Sequence, residues 1–496
     1  MDFCFRNDDE RCLRGVRIVV DFFDVCIIGS GFGGSICGAK LSKAGKTTLI
    51  LEQGKRWDKN AFQQTQDIKY LKELYEEFEG ENIKVSTGRC VGGGSLLYSA
   101  SSLRAPSSVF EQNDKNGKRL WPSDYNRKVL NPYYEKVEKK LNVKQLLWSE
   151  TPKKDGIFAK ACNSAGYTCD RLRTASVNCR NCGFCHTGCK FDRKQSLILN
   201  YIPEAEKNGA RIKEECKALL VKRNEKGYIV VYKDLKSGLL NEASCKTVII
   251  SAGAIQSPAL MLKSKKFLNN LSGHVGKNLS ANGDMFLAGY LPNEDCEVYK
   301  GKAQGSVTYA FWEEGFVLQG MGTLPISATV INRIRFKDAK KPFYWGNETK
   351  RVMKQYGKHL LGIAVIGLDG SDGTVSLDEN DNIRLNWSMS EKSRKVFDKA
   401  IARAKEIVES LGGELLITEP YQEMGEVITV HPLGTCRMAE NAADGVVDAN
   451  CQVFDNPNLY VVDGSAIPSS LGVNPSLTIA AVAERVSDYI VRKFPG

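Results

Sequence analysis

The stretch Asp24-Val-Cys-Ile-Ile-Gly-Ser-Gly-Phe-Gly-Gly34 decides the fold of this 496-residue chain. Its apolar run, residues 25–28, is typical of a buried parallel strand. A helix-like segment over residues 35–43 follows, and a second apolar run, residues 48–51, ends at Glu52. The order of strand, glycine-rich turn, helix and strand predicts a complete βαβ unit.

The glycines of this turn have the G-x-G-x-x-G spacing of a dinucleotide-binding fingerprint. Gly29 permits the tight turn, Gly31 lets a pyrophosphate approach the backbone, and Gly34 lets the helix pack on the strand. The helix N-terminus then faces the anion. Glu52 follows Gly31 by about 20 residues, the place of the acidic residue that binds a ribose hydroxyl. We therefore predict a bound dinucleotide cofactor.

Composition excludes several other classes of protein. Hydrophobic residues make up 42% and charged residues 26%, so the chain is neither disordered nor fibrous and has room for two or three domains. The net charge of +11 is spread along the chain without a block of like charges. This pattern is typical of a solvated surface, and no feature supports a nucleic-acid partner.

The N-terminus and the cysteines indicate the cellular compartment. Residues 1–20 are interrupted by charged side chains, so they lack the apolar core of a signal peptide and the span of about 20 apolar residues of a transmembrane segment. Most of the 16 cysteines stand singly in apolar surroundings, and a chain of this length needs no disulfide scaffold. We predict a reducing, cytoplasmic location.

Two further glycine-containing segments are candidate turns. The loop Gly92-Gly93-Gly94-Ser95 lacks side chains where a flat ring must approach the backbone, and Ser95 adds a hydrogen-bond donor. Asp463-Gly464 follows an apolar run, residues 459–462, and by itself reads as a turn that ends a strand.

Four motifs resemble those of the glucose–methanol–choline (GMC) oxidoreductase family, nearest its cholesterol-oxidase-like branch. The resemblance extends over nearly all of the chain after Phe22, with smaller similarities at Asn282-Gly-Asp284 and residues 368–375. The main motifs are Gly29-Ser-Gly-Phe-Gly-Gly34 with Glu52; Arg89-Cys-Val-Gly-Gly-Gly-Ser95; Ser251-Ala-Gly-Ala-Ile-Gln-Ser-Pro258; and His431-Pro-Leu-Gly434 with Asn458-Leu-Tyr-Val-Val-Asp-Gly-Ser465 and Gly472-Val-Asn-Pro-Ser476.

The resemblance implies an α/β plus β architecture. A Rossmann-like FAD-binding domain would comprise residues 22–285, with the cysteine-rich loop 179–189, and residues 423–496, which hold the catalytic motif. Residues 286–422 would form mainly an inserted substrate domain built on an antiparallel sheet. Between the motifs, the charged segment 60–81 is predicted to be helical.

The resemblance also implies the site residues. His431 would lie at the flavin face and accept the proton of a substrate hydroxyl, which requires a group that titrates near neutrality. Asn474 matches a second polar position that is His or Asn in the family; an amide is no base, so it would orient the substrate or a water. Asp463 and Gly464 would contact the phosphate and ribityl chain of FAD, and Pro475 would belong to the cofactor site. Alone, His431 and the Asn474-Pro475 pair also fit structural roles.

The implied activity is FAD-dependent oxidation of a CH–OH group to a carbonyl, on a bulky apolar alcohol such as a sterol, with O2 or a redox partner as electron acceptor. Two alternatives stay open. One is a sugar or long-chain-alcohol dehydrogenase that passes electrons through an iron–sulfur centre; the other is a non-catalytic flavin electron-transfer subunit, against which the His431/Asn474 pair argues. The sequence assigns no carboxylate base, because Glu313, Glu314 and Asp369 lie in no matching motif.

A separate run of cysteines has the C-x2-C-x2-C-x3-C spacing of a bacterial ferredoxin loop. Lys190 stands where ferredoxins have proline, and the chain has one such run. Zinc usually requires two separated pairs of ligands. An iron–sulfur cluster, zinc, and structural cysteines, reduced or disulfide-linked, remain three interpretations of Cys179, Cys182, Cys185 and Cys189.

Overall fold

The computed structural model describes residues 21–65, 67–114, 116–322, 347, 350, 358–417 and 426–494. The N-terminal residues 1–20, on which the predicted cytoplasmic location rests, lie outside the described residues, as does part of the predicted substrate domain. Within the described ranges, no helix is both long and apolar enough to cross a membrane.

The α-helices of the described residues are numbered in chain order. They are α1 (Phe32–Lys43), α2 (Ile68–Leu74), α3 (Arg127–Lys140), α4 (Lys153–Ser164), α5 (Tyr201–Lys207), α6 (Gly253–Ser264), α7 (Glu391–Glu409) and α8 (Ser476–Lys493).

The strands are numbered in the same way. They are β1 (Asp21–Ile28), β2 (Thr48–Leu51), β3 (Tyr75–Gly80), β4 (Ile83–Gly88), β5 (Lys144–Gln145), β6 (Asp170–Arg171), β7 (Arg173–Thr174), β8 (Arg211–Lys213), β9 (Cys216–Asn224), β10 (Gly227–Asp234), β11 (Leu240–Ile250), β12 (Lys277–Leu279), β13 (Met285–Tyr290), β14 (Gln304–Thr308), β15 (Phe316–Met321), β16 (Leu360–Gly367), β17 (Gly373–Leu377), β18 (Ile383–Trp387), β19 (Glu414–Leu416), β20 (Val427–Thr429) and β21 (Leu459–Val461).

A seven-stranded sheet, which includes β21 from a distant part of the sequence, forms one half of the molecule. Strands β8, β2, β1 and β11 pair in parallel in that order, so the predicted βαβ unit is confirmed. The other edge of β11 pairs antiparallel with β10 along its first part and parallel with β21 at its end. Helix α1 packs against α5 and α8, which buries the apolar strands between helices, as parallel sheets require.

The start of α1 lies unusually close to two backbone segments. A Cβ atom on Gly33 would stand 1.6 Å from the carbonyl oxygen of Val462, directly after β21. A Cβ atom on Gly34 would stand 2.0 Å from the carbonyl oxygen of Gly29. Side chains are therefore excluded at both positions, and Gly33 is a close-packing glycine at a variable position of the G-x-G-x-x-G pattern.

A six-stranded antiparallel sheet forms the other half, in the order β19-β13-β16-β15-β14-β6. All eight residues of β16 are buried, and α7 and α4 pack against the sheet. This sheet and the parallel sheet confirm the predicted α/β plus β architecture. Its first long strand begins at Met285, but the domain boundaries at 285/286 and 422/423 stay a prediction.

The segment 60–81 was predicted to be helical, and this prediction is wrong for most of its length. Of its described residues, those of α2 alone are helical; the following residues form β3, which pairs antiparallel with β4. Strand β4 also pairs with β20 from the far end of the chain and buries Ile83 and Val85. The charged composition suggested a solvated helix, whereas pairing with a distant strand determines the structure.

We expect Gly33→Ala to destabilise the protein strongly, because the new methyl group would overlap the carbonyl of Val462. Gly31→Ala is the matched control: Gly31 has φ −67°, and a Cβ there meets nothing within 4 Å. Thermal unfolding of the two variants without added cofactor should show a large drop in Tm for Gly33→Ala alone. Equal Tm values would contradict the proposed close packing.

Candidate active site

The first glycine turn contains one glycine that no other residue could replace without strain and one that faces open space. Gly29 has φ +95°, and a Cβ there would stand 2.3 Å from the carbonyl oxygen of Ser251. Gly31, at the N-terminus of α1, faces open space. An anion can therefore approach the backbone at Gly31 and the N-terminal end of the helix.

Glu52 lies at the end of β2 and is 5% exposed. One carboxylate oxygen accepts hydrogen bonds from the backbone N–H of Ser30 at 3.0 Å and from its hydroxyl at 2.7 Å, and the other accepts from the N–H of Gly54 at 2.8 Å. Burial raises the pKa of this carboxyl. Ser30, at a variable position of the fingerprint, thus holds the side chain of Glu52, the residue predicted to bind the ribose.

The second glycine loop contacts the first. Gly92 and Gly93 have φ values of +96° and +52°, and a Cβ on Gly93 would stand 2.9 Å from the Cα of Gly31. The N–H of Gly92 donates to the hydroxyl of Ser30 at 3.0 Å, whereas Gly94 faces open space. The two loops therefore form one surface without side chains, on which a flat group can lie.

Ser95, predicted to donate to the cofactor, makes two hydrogen bonds within the protein. Its hydroxyl donates to the carbonyl of Gly92 at 2.7 Å and accepts from the N–H of Leu197 at 3.1 Å. Its contact with the cofactor stays a prediction. The side chain is fully buried. It stabilises the shape of the loop.

Asp463 and Gly464 lie directly after β21. One oxygen of Asp463 accepts from the N–H of Gly253 at 2.8 Å and the hydroxyl of Ser257 at 2.6 Å; the other accepts from the N–H of Ser465 at 2.8 Å. Burial raises the pKa of this carboxyl. The carboxylate thus joins the start of α6 to the turn after β21. Because both of its oxygens are occupied in this way, we expect the backbone of the turn to contact a cofactor.

His431 follows β20 and binds a buried carboxylate. Its Nδ1 lies 2.8 Å from an oxygen of Asp284, whose side chain is 2% exposed against 20% for the imidazole. A carboxylate accepts hydrogen bonds, so it selects the neutral tautomer that carries the proton on Nδ1. Nε2 is then free to accept a proton. The sequence showed Asp284 in a family-like tripeptide but gave no reason to assign it a role.

Asn474 is buried against the six-stranded antiparallel sheet. Its Oδ1 accepts a hydrogen bond from Nε2 of Gln319, in β15, at 2.9 Å. Both amides are nearly fully buried. In this orientation the NH2 group of Asn474 remains available to donate to a substrate oxygen. Pro475, the next residue, is the N-cap of α8. No sequence pattern indicated Gln319.

Two of the three acidic residues considered for a carboxylate base, Glu314 and Asp369, have other partners. Glu314 accepts from Nε of Arg403 at 2.9 Å. Asp369 is buried and accepts from the hydroxyl of Ser280 at 2.7 Å and the N–H of Gly283 at 3.0 Å, and burial raises its pKa to about 6. Both carboxylates therefore stabilise the fold around the site.

The four cysteines of the ferredoxin-like run line one pocket. Backbone N–H groups donate to two of the sulfurs: Asn181 to Cys179 at 3.4 Å, and Arg193 and Lys194 to Cys189 at 3.3 and 3.4 Å. None of the four is in a disulfide, and burial raises the pKa values of Cys179 and Cys182. In the part of the chain that is described, no three Cys, His, Asp or Glu residues are grouped closely enough for a single metal ion.

Lys194 connects this pocket to the second glycine loop. Its buried ammonium donates to the carbonyls of Leu96 at 2.6 Å, Tyr98 at 3.0 Å and Cys185 at 2.5 Å. Burial lowers the pKa of Lys194. His186 adds a second link, since its Nδ1 lies 3.0 Å from the carbonyl of Leu97. The cysteine run is thus attached to the residues that directly follow the glycine loop.

Comparisons with known proteins agree on one family. Residues 24–282 and 369–483 match the N- and C-terminal family models described as GMC oxidoreductase. The chain is 26% identical to a cholesterol oxidase of Acinetobacter baumannii over 95% of each chain. It is 25% identical to a long-chain-alcohol oxidase of Arabidopsis thaliana, over 94% of this chain and 67% of that one.

A solved structure shares the fold. The crystal structure of pyridoxine 4-oxidase from Mesorbium loti superposes with a TM-score of 0.69 at 16% identity, over 95% of this chain and all of that one. At this identity the likeness concerns the architecture.

We expect Gly31→Asp to abolish FAD binding while the protein still folds. The carboxylate would project into the open space where the pyrophosphate must approach, and like charges repel. Gly156→Asp, at an exposed position of α4 with open space around its Cβ, adds the same charge as a control. Flavin absorbance per folded chain measures the outcome, and a full complement of FAD in Gly31→Asp would contradict this assignment.

Proposed function

The chain belongs to the GMC oxidoreductase family of FAD-dependent alcohol oxidoreductases, and we propose that its substrate is a bulky apolar alcohol of the sterol type. The observation that supports catalysis most directly is the imidazole of His431, bound through Nδ1 to a buried carboxylate, which leaves the lone pair of the neutral ring on Nε2. A non-catalytic flavin subunit would have no use for this arrangement.

The residues present fit FAD. Gly31 and Gly94 face open space along two glycine loops that contact each other, and the N-terminus of α1 points into it. Glu52 already accepts three hydrogen bonds, and a carboxylate has about four acceptor sites, so one remains for a ribose hydroxyl. The turn at Asp463 and Gly464 would contribute backbone contacts.

FAD, when bound, supplies the acceptor for the hydride that leaves the carbinol carbon. His431 accepts the hydroxyl proton on Nε2, and the negative charge of Asp284 stabilises the imidazolium that results. The NH2 group of Asn474 donates to the substrate oxygen and orients it. Gln319 keeps this amide in place by occupying its carbonyl oxygen.

Two observations favour an apolar substrate. The first is that two of the relatives aligned along nearly the whole of this chain are named for cholesterol and for long-chain alcohols. The second is Val430, the residue before His431 in the chain, whose apolar side chain is 47% exposed. An apolar substrate would cover this side chain, which gains free energy from removing apolar surface from water.

We expect the His431→Ala variant to keep FAD. Its rate of flavin reduction by an alcohol should fall at least about a hundredfold, the scale expected for loss of a general base. Asn474→Ala should also slow flavin reduction, with less effect on its pH dependence, because an amide does not titrate. Stopped-flow bleaching of the flavin band by a sterol and by a long-chain alcohol, under anaerobic conditions, measures both.

His359→Ala is the control, because that imidazole binds the carbonyl of Glu294 outside the site. Unchanged bleaching in His431→Ala would refute the assignment of the base. Bleaching by sugars but not by apolar alcohols would refute the substrate class alone.

A second candidate function concerns the electron acceptor. We propose that the cysteine pocket binds an iron–sulfur cluster, through which electrons leave one at a time to a one-electron carrier protein. A single tetrahedral ion requires thiolates close together, whereas a cluster distributes its thiolates over several irons. The spacing of Cys179, Cys182, Cys185 and Cys189 and their common pocket therefore fit a cluster better than zinc.

The surroundings of the pocket support this proposal. Backbone N–H groups that donate to cysteine sulfurs are among the factors that tune such clusters. Cationic side chains line the pocket and would offset the negative charge of four thiolates; they are Arg180, Arg193, Lys194 and Lys302. Lys194 links the pocket to the glycine loop, so a cluster would lie beside the residues that follow the proposed flavin site.

We expect anaerobically purified protein to contain iron and acid-labile sulfide in equal amounts, about three or four per chain. Cys182→Ser should lose the iron and keep the FAD, whereas Cys162→Ser, buried in α4 outside the pocket, should keep both. Background iron, or one zinc per chain, in flavin-loaded protein would refute the cluster and leave O2 as the acceptor.

A further inference from the structure

Asn282, Gly283 and Asp284 form a buried turn between β12 and β13. We propose that this turn positions both residues of the proposed catalytic pair: Asp284 acts on the imidazole of His431, and Asn282 acts on the backbone that leads to Asn474. This inference rests on the function proposed above. It concerns positioning residues, which act through the catalytic pair and do not touch the reacting atoms.

The first positioning group of the turn is the carboxylate of Asp284. One oxygen accepts from the imidazole at 2.8 Å; the other accepts from the hydroxyl of Thr429 at 2.8 Å and the N–H of Val430 at 3.2 Å. The hydroxyl of Thr429 also accepts from the backbone N–H of His431 at 2.9 Å. The carboxylate therefore fixes the ring and the strand end that bears it, and its charge favours the tautomer with a free Nε2.

The second positioning group is the amide of Asn282, which is fully buried. Its oxygen accepts from the N–H of Leu471 at 2.7 Å and of Gly472 at 3.3 Å, and its NH2 group donates to the carbonyl of Val473 at 2.8 Å. One side chain thus binds three consecutive residues directly before Asn474. These hydrogen bonds fix the conformation of the loop before α8 directly next to Asn474.

The turn itself is held against the six-stranded antiparallel sheet. Gly283 has φ +59°, and a Cβ there would stand 2.6 Å from backbone atoms of Gly367 at the end of β16. The N–H of Gly283 donates to Asp369, and the carbonyl of Asn282 accepts from the N–H of Gly367 at 3.0 Å. The side chains of Asn282 and Asp284 therefore project from a rigid turn. This turn fixes the segments that carry His431 and Asn474 relative to each other.

The test is a pair of double-mutant cycles on the rate of anaerobic flavin reduction. Asp284→Asn keeps the shape of the side chain but removes its charge, and we expect the rate to fall at least about tenfold, the scale on which a partner of a functional histidine acts. Asn282→Ala should also lower the rate. In a His431→Ala background Asp284→Asn should have no further effect, and in an Asn474→Ala background Asn282→Ala should have none.

Asp155→Asn is the matched control for loss of a buried carboxylate. Asp155 pairs with Lys154 and accepts hydrogen bonds from Gly305 and Ser306 of β14, so this change should lower Tm and leave the rate per bound flavin unaltered. If Asp284→Asn and Asn282→Ala behave in the same way as the control, or if their effects multiply with those of the catalytic variants, the positioning role is refuted.

A spectroscopic readout separates this inference from the proposed function. In uniformly 15N-labelled protein, the His431 signals, assigned by their loss in His431→Gln, should show the Nδ1–H tautomer, and Asp284→Asn should alter it. If His431→Ala reduces flavin normally but the tautomer depends on Asp284, the proposed function fails and the positioning contact stands. If the tautomer is unchanged in Asp284→Asn, the positioning contact fails.

Discussion

The structure depends on a backbone approach that leaves no room for side chains. At the carboxyl ends of β1, β11 and β21, the turn before α1, the start of α6 and the residues after β21 come together, and Gly33 lies against the carbonyl of Val462. Hydrogen bonds complete the contact, with Asp463 joining two of the segments. A cofactor that lies on this surface meets backbone N–H groups and open space, which is why glycine recurs there.

The sequence predicted those parts of the fold whose signals are local. The apolar runs and glycine spacing identified β1, α1 and β2, and the resemblance supplied the architecture. Strand β3 was missed because its partner, β4, is fixed by β20 from a distant part of the chain. Pairing of this kind leaves no periodic trace in the segment itself.

The same limit applies to the candidate site. His431 and Asn474 stand in recognisable motifs, but the groups that bind them, Asp284 and Gln319, come from strands of the antiparallel sheet or the turn before it. A carboxylate that selects a tautomer and an amide that fixes another amide are defined by contacts across the fold. Ser95 shows the converse: a residue in a motif can have a loop-stabilising role that its type does not reveal.

The position of β21 has a consequence for folding. Strand β11 pairs in parallel with β1 from early in the sequence and, at its other edge, with β21 from a distant part of it. Contacts of high sequence separation form slowly, because the entropy of closing a long loop must be lost before the contact forms. We therefore expect the surface beside the glycine turn to be completed late in folding, when β21 pairs with β11 and α8 packs against α1.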